Sequence, residues 1–417
     1  MSSKKILGAV ALVVIIGAGV WGWSYYEKIR PFREFTNPET LTESFRSAYQ
    51  TFGGTTIKAP QRALAFGRIE GISLPETFEY EGETHTLSNM LDATYTTGFL
   101  VALDDQILFE QYYRGETQSD RHIMFSVSKS FVSALIGIAL DEGKLDSIED
   151  PITKYLPELS ASGYNGVRIK DILQMSSGVY FNEDYNDPLS DVNQMGLTIA
   201  VGGSLNEFAL SLENKWPPGT YNNYVSVDTH VLGMLITRVT GQSLSSYLQE
   251  KIWQPLGMEF DGHWLTDGLN MEMAMGGLNV ALRDMARMGR LYLHEGAMDG
   301  KQLVPQDWVR ASITPDAPHV MPGMDNPGSS NAFGYGYQWW TPVEPHGDFF
   351  AAGIYYQYIY VDPTTGVVIA KTSSDLKFTD PNEPRKKHLQ VAAFQAISAH
   401  IAAQMQSQAL APTGETL

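Results

Sequence analysis

Apolar positions along this chain follow three patterns, and each predicts a different element. The first run is unbroken: Ile6 to Trp23 carries no charge, with Lys4 and Lys5 before it and Tyr25, Tyr26 and Lys28 after it. Its 18 residues would rise about 27 Å as a helix, close to the hydrocarbon thickness of a bilayer. No small-x-small cleavage site ends the run, so residues 1–30 are expected to form a retained signal anchor. Trp21, Trp23, Tyr25 and Tyr26 would then sit at the membrane interface. Lys28, Arg30 and Arg33 balance Lys4 and Lys5, so the charge bias across the span is weak. The short lysine-bearing tail is expected to stay in the cytosol, leaving a membrane-anchored domain on the periplasmic or extracytoplasmic side.

Residues 31–94 carry clusters of Pro, Gly and Thr with scattered aromatics, and read as a linker and irregular extension. Strand-like patterning begins near Thr97. Gly98–Leu103 and Gln106–Tyr113 flank Asp104-Asp105 as a hairpin. Gln357–Val361 and Val367–Thr372 form a second hairpin around residues 362–366. Between them the period lengthens to that of helices. Ser126 to Glu142 reads as a helix stopped at Gly143. Val227, Val231, Leu232, Leu235, Ile236 and Val239 stripe a second helix that ends at Gly241. A last helix is predicted over residues 385–405, followed by a tail at 406–417. Hairpins at both ends with helices between them predict one α+β domain over residues 95–405, an antiparallel sheet flanked by helices.

Apolar residues at 43% and charged residues at 18% describe an ordinary globular chain. A net charge of −18 argues against a nucleic-acid partner, which demands clustered Lys and Arg. The absence of cysteine removes thiolate nucleophiles, disulfides and thiolate metal sites together. No H-E-x-x-H occurs and no two of the nine histidines lie closer than twelve positions, so no metal is expected. Gly17 to Gly22 satisfies the dinucleotide pattern G-x-G-x-x-G, but Pro31 follows and no second apolar strand does, so no cofactor is expected.

Candidate chemistry starts from S-x-x-K, which occurs at Ser2–Lys5, Ser126–Lys129 and Ser374–Lys377. Only Ser126 opens a helix that is apolar nearly all round, with Phe131, Val132, Leu135, Ile136, Ile138 and Leu140. A lysine in the first turn of such a helix is awkward, because the helix N-terminus and burial both disfavour its charge. Those same two effects would lower the Lys129 pKa and leave a base on the same face as Ser126. A serine N-cap with a snorkelling lysine is the plainer alternative. A Pro217-Pro218-Gly219 turn delivers Tyr224 to the mouth of the second helix. Beside an ammonium, such a phenol could be driven toward phenolate and take a proton from serine.

Taken together these residues resemble the class C β-lactamase-like serine hydrolases, and within them the 6-aminohexanoate-dimer (nylon oligomer) hydrolases. The resemblance covers residues 96–400 and rests on three ordered blocks: His122–Ser130, Asn182–Pro188 and Asp228–Gly233. It implies a β-lactamase/DD-peptidase-like fold with an added, mainly helical subdomain. It also implies an acyl-enzyme on Ser126, with Lys129 and Tyr224 relaying the proton; which of the two is the base stays open. The family's third motif, K-T-G or H-T-G, falls at Ala351-Ala352-Gly353. The backbone N–H groups of Ser126 and Ile354 would form the oxyanion hole, and Tyr185 resembles the cleft tyrosine that meets the leaving nitrogen. Ala351 offers no charge, so efficient β-lactam hydrolysis is not expected. Met275 stands where the nylon-dimer hydrolases carry asparagine, which implies a more apolar acyl or amine group. The substrate implied is a small linear amide or ester. Two rivals remain: a carboxylesterase with little amidase activity, and an inactive penicillin-binding-like module that binds a peptide.

Overall fold

The two predicted hairpins are neighbours in one sheet, although more than 200 residues separate them. In the computed structural model, which describes residues 22–380, 382 and 386–410, strand Val367–Ser373 pairs antiparallel with strand Thr96–Leu103. That pairing centres an eight-stranded sheet in the order Gly334–Tyr335, Trp340–Thr341, Phe349–Gly353, Gln357–Asp362, Val367–Ser373, Thr96–Leu103, Gln106–Tyr112, Gly67–Arg68. Every pair is antiparallel except the last. Both faces are covered, and alternation along a strand serves both. Phe99 and Val101 join the aromatic cluster under the C-terminal helix Lys386–Leu410, while Leu100 and Ala102 face the other way. Phe394 of that helix packs against Phe99, Tyr358 and Tyr360. Helix Leu282–Leu293 covers the opposite face with Met285 and Met288. The arrangement is the predicted α+β one, a sheet flanked by helices.

The helical subdomain is built on two helices packed against each other, Ser128–Asp141 and Ser226–Thr240. The first is buried from Ser128 through Ala139, as its all-round apolar pattern requires. The second ends at Gly241, whose φ of +69° is the left-handed cap that glycine adopts without strain.

Residues 31–94 are not irregular. Helix Leu41–Thr51 buries Leu41, Phe45 and Ala48, and strand Gly54–Ile57 edges a second sheet with Gly262–Leu265, Leu278–Val280 and His122–Ile123. Helix Leu87–Ala93 and strand Gly67–Arg68 join the large domain as well. These elements are short, and their apolar faces are completed by strands far away in sequence, which local periodicity does not register. The predicted anchor, residues 6–23, lies outside the described residues except for its last two positions. Those two belong to a helix over 22–35, with Trp23 and Tyr26 exposed. Among the described residues no helix is long and apolar enough to cross a membrane. The last helix runs to Leu410, five residues beyond the predicted end.

Candidate active site

Strand His122–Ile123 leads into a tight 3-10 turn, Phe125–Val127, and the α-helix begins only at Ser128. Ser126 therefore stands on the turn rather than in the helix, directly after Phe125 at φ +46°. The turn aims its hydroxyl at Lys129, whose Nζ donates to Ser126 Oγ at 2.9 Å. The same ammonium donates to Ser226 Oγ at 3.3 Å and to the Met275 carbonyl at 2.8 Å. Its three donors thus meet three neutral oxygens, and the residue is 1% exposed. Burial brings the Lys129 pKa down to about 8, against the opposing fields of Glu183 and Asp228. The snorkelling alternative is excluded, since the chain does not reach solvent.

Tyr224 reaches the site from the loop before helix Ser226–Thr240. Its ring stacks on Trp340, centroids 5.5 Å apart at 18°, and meets the edge of Tyr335. The phenol hydrogen-bonds with Ser126, yet burial first and Glu183 second push its pKa up. Lys129 Nζ lies over the ring face, 5.1 Å from the centroid, and both groups meet at the Ser126 hydroxyl. The phenolate expected from sequence is therefore disfavoured, and of the two groups Lys129 is the one brought toward its neutral form.

A carboxylate not singled out from the sequence completes the network. Glu183 accepts from Ser226 Oγ at 2.6 Å, from Ser226 N at 3.2 Å and from Tyr185 OH at 2.9 Å. Its pKa is raised by burial, with Lys129 and these hydrogen bonds pulling the other way. The signal was present, because Glu183 lies two positions before Tyr185 in the block Asn182–Pro188.

The edge strand Phe349–Gly353 runs past the serine turn. A Cβ on Gly353 would lie 2.5 Å from Met124 O and 3.2 Å from Ser126 N, so only glycine lets the strand end approach this closely. Ile354 follows, then Tyr355 and Tyr356 at φ +60° and +70°. Left-handed residues thus flank both backbone N–H groups expected in the oxyanion hole, a strain that persists only where packing enforces it. Phe45 supplies that packing, with ring centroids 5.0 Å from Phe125 and 4.8 Å from Tyr355.

Two cavities meet at Ser126. A cleft of about 780 Å³ is lined by Tyr224, Trp340, Gly353, Lys215 and Lys387, and a second cavity of about 480 Å³ by mainly apolar side chains. Tyr185 and Ile354 border both. Met275 borders the smaller one at 4% exposure, and its carbonyl holds the lysine. Ala351 is the exception among the expected residues. It is 1% exposed and packed in the core under the sheet, because successive strand positions face opposite ways and Ala352 takes the cleft side. Among the described residues no cluster of His, Asp and Glu could hold a metal.

The chain has relatives in sequence and in fold. A 6-aminohexanoate-dimer hydrolase of Paenarthrobacter ureafaciens is 33% identical over 298 residues, 69% of this chain and 75% of that one. A solved protein from Bacillus anthracis, provisionally assigned as a 6-aminohexanoate-dimer hydrolase, superposes with a TM-score of 0.79 at 26% identity, covering 89% of this chain and 96% of its own. A D-stereospecific amidohydrolase from Streptomyces sp. shares the fold alone, with a TM-score of 0.53 at 16% identity over 69% of this chain and 94% of that one. The family model described as Beta-lactamase matches residues 89–394. With that match spanning the serine turn and seven of the sheet's eight strands, the edge strand among them, the chain belongs to the beta-lactamase family and is a serine hydrolase.

Proposed function

We propose that this hydrolase cleaves linear amides and esters through an acyl-enzyme on Ser126. The observation that carries the reading is the buried Lys129, 2.9 Å from Ser126 Oγ and held only by neutral oxygens. Neutral Lys129 takes the hydroxyl proton as Oγ bonds to the substrate carbonyl carbon. The N–H groups of Ser126 and Ile354 receive the oxyanion. When the bond to the leaving nitrogen or oxygen breaks, the proton returns from Lys129 through the Tyr224 phenol, and water then hydrolyses the ester by the same path in reverse. The relative from Paenarthrobacter ureafaciens, by its name a hydrolase of the 6-aminohexanoate dimer, supports an amide substrate. Ser126→Ala should abolish both turnover and labelling by a fluorophosphonate. Lys129→Ala and Tyr224→Phe should each lower kcat by about 10²–10⁴. Labelling that survives Ser126→Ala would refute the assignment. A labelled enzyme that turns over nitrophenyl esters but no linear amide would be the carboxylesterase instead.

Membrane attachment through residues 6–23, with the catalytic domain on the extracytoplasmic side, belongs to the same proposal. Its support is the length of the apolar run, together with the exposure of Trp23 at 67% and Tyr26 at 42% just beyond it. Deleting residues 1–21 should release an active soluble enzyme, and protease added outside spheroplasts should digest the full-length domain. Survival of that domain until lysis would invert the topology.

A further inference from the structure

The two cavities that meet at Ser126 differ in chemistry, and the difference has a direction. Tyr224, the group proposed to return a proton to the leaving atom, borders the larger cleft and not the smaller cavity. The leaving group therefore departs into the larger cleft, and the acyl group occupies the smaller one.

The acyl side is mainly apolar. Phe32 and Phe35 of the helix over 22–35 close it on one side, and Val192, Met195 and Ile199 of helix Asp191–Ala200 on the other. Met275, in the place where the resemblance leads one to expect asparagine, adds to the same wall. Asn193, Asp267 and Asn270 also border the cavity, but apolar side chains make up most of the lining and favour an extended hydrocarbon chain.

The leaving-group side carries a cation. Lys387 lies on the cleft wall with Nζ 3.8 Å from the ring centroid of Trp340, the same ring on which Tyr224 stacks. Phe333 and Phe350 complete an aromatic cage at 4.9 and 5.7 Å. Its neighbour Lys386 pairs with Asp375 at 3.0 Å, whereas no carboxylate among the described residues pairs with Lys387. Burial alone brings the Lys387 pKa down to about 7. A carboxylate entering the cleft would stabilise the ammonium and be held by it. The cation that Ala351 does not supply from the edge strand is thus offered by the C-terminal helix.

We propose that the substrate is an amphiphilic amide, an apolar acyl chain joined to an amine that bears a carboxylate, with the chain under Phe32 and Phe35 and the carboxylate on Lys387. An N-acyl amino acid is the simplest member of this class. Water is added across the C–N bond, releasing the fatty acid and the amino acid. This inference rests on the acyl-enzyme reading above and names its substrate.

The test uses the full chain and three probes: N-octanoylglycine, N-acetylglycine and N-octanoylglycinamide. The first should exceed each of the others at least tenfold in kcat/KM. Gly196 borders the smaller cavity, and a Cβ there meets nothing within 4 Å, so Gly196→Phe introduces its side chain from open space and should occupy the cavity. In that variant the octanoyl-to-acetyl ratio should fall toward one. In Lys387→Gln the glycine-to-glycinamide ratio should fall toward one, through KM rather than kcat. Thermal melts of both variants identify any loss of fold. Equal rates on all three probes, or ratios unmoved by the substitutions in folded protein, would overturn the proposal. If fluorophosphonate still labels Ser126 in that case, the acyl-enzyme reading stands and only the substrate class falls. If labelling also fails, the underlying reading falls with it.

Discussion

The Ser226 hydroxyl donates to Glu183 at 2.6 Å while its oxygen receives Lys129 Nζ at 3.3 Å. One serine thus links Lys129, the proposed base, to a carboxylate across two segments of the helical subdomain. The carboxylate raises the lysine pKa through its field, against the larger effect of burial. Lys129 needs a value low enough to be neutral at working pH and high enough to hold the serine proton, and the balance between these two effects sets it.

A pH profile reads that balance directly. The base works when neutral, so kcat/KM should rise with pH and level off above about 8, the Lys129 pKa. Glu183→Gln removes a charge that favours the ammonium, so its rising limb should lie at lower pH. Tyr224→Phe should lower the plateau and leave the midpoint where it is. A Glu183→Gln profile superposable on the native one would show that the carboxylate has no hold on the base.

Phe45 is expected to matter far beyond its distance in sequence from Ser126, the proposed nucleophile. It is fully buried and touches the two left-handed residues, Phe125 and Tyr355, that flank Ser126 and Ile354. Phe45→Ala should cost about 3–5 kcal/mol of stability, as deletions of buried aromatic rings do. Phe45→Leu should fold, and lower kcat with KM little changed, because the strained turns lose their common support. Urea denaturation and steady-state kinetics check the two halves, and an unchanged kcat in Phe45→Leu would detach this ring from the site.

Asp228 presents a stability experiment. It is buried, receives the Tyr164 hydroxyl at 2.9 Å, and burial raises its pKa to about 8. Because the folded value lies above the unfolded one, its contribution is fully present below pH 3.8 and is lost as pH rises toward 8. Asp228→Asn cannot ionise, so its stability relative to the native protein should climb with pH across that window, by up to about 1.4 kcal/mol per unit, and then flatten. Taking the difference removes the opposite drift from His230, whose pKa burial lowers to about 4. A difference that does not change between pH 5 and 8 would place the Asp228 pKa near its ordinary value.

The sequence by itself determined the elements whose information is local. Hairpins at Thr96–Tyr112 and Gln357–Ser373, the helix that ends at Gly241, and the closeness of Ser126 to Lys129 three positions on follow from periodicity, turn residues and short sequence separation, although Ser126 sits on the turn before the helix. The tertiary structure decided whatever depends on two distant segments meeting. Glu183 gains meaning only through Ser226, Phe45 only through Tyr355, and Lys387 only through Trp340. Ala351 and Ala352 are the same residue type, and strand alternation alone sends one into the core and the other to the cleft. The direction of the Lys129 shift was legible in the sequence, but its size was not, because a lysine pKa depends on how completely water is excluded, and burial is a property of the packed whole.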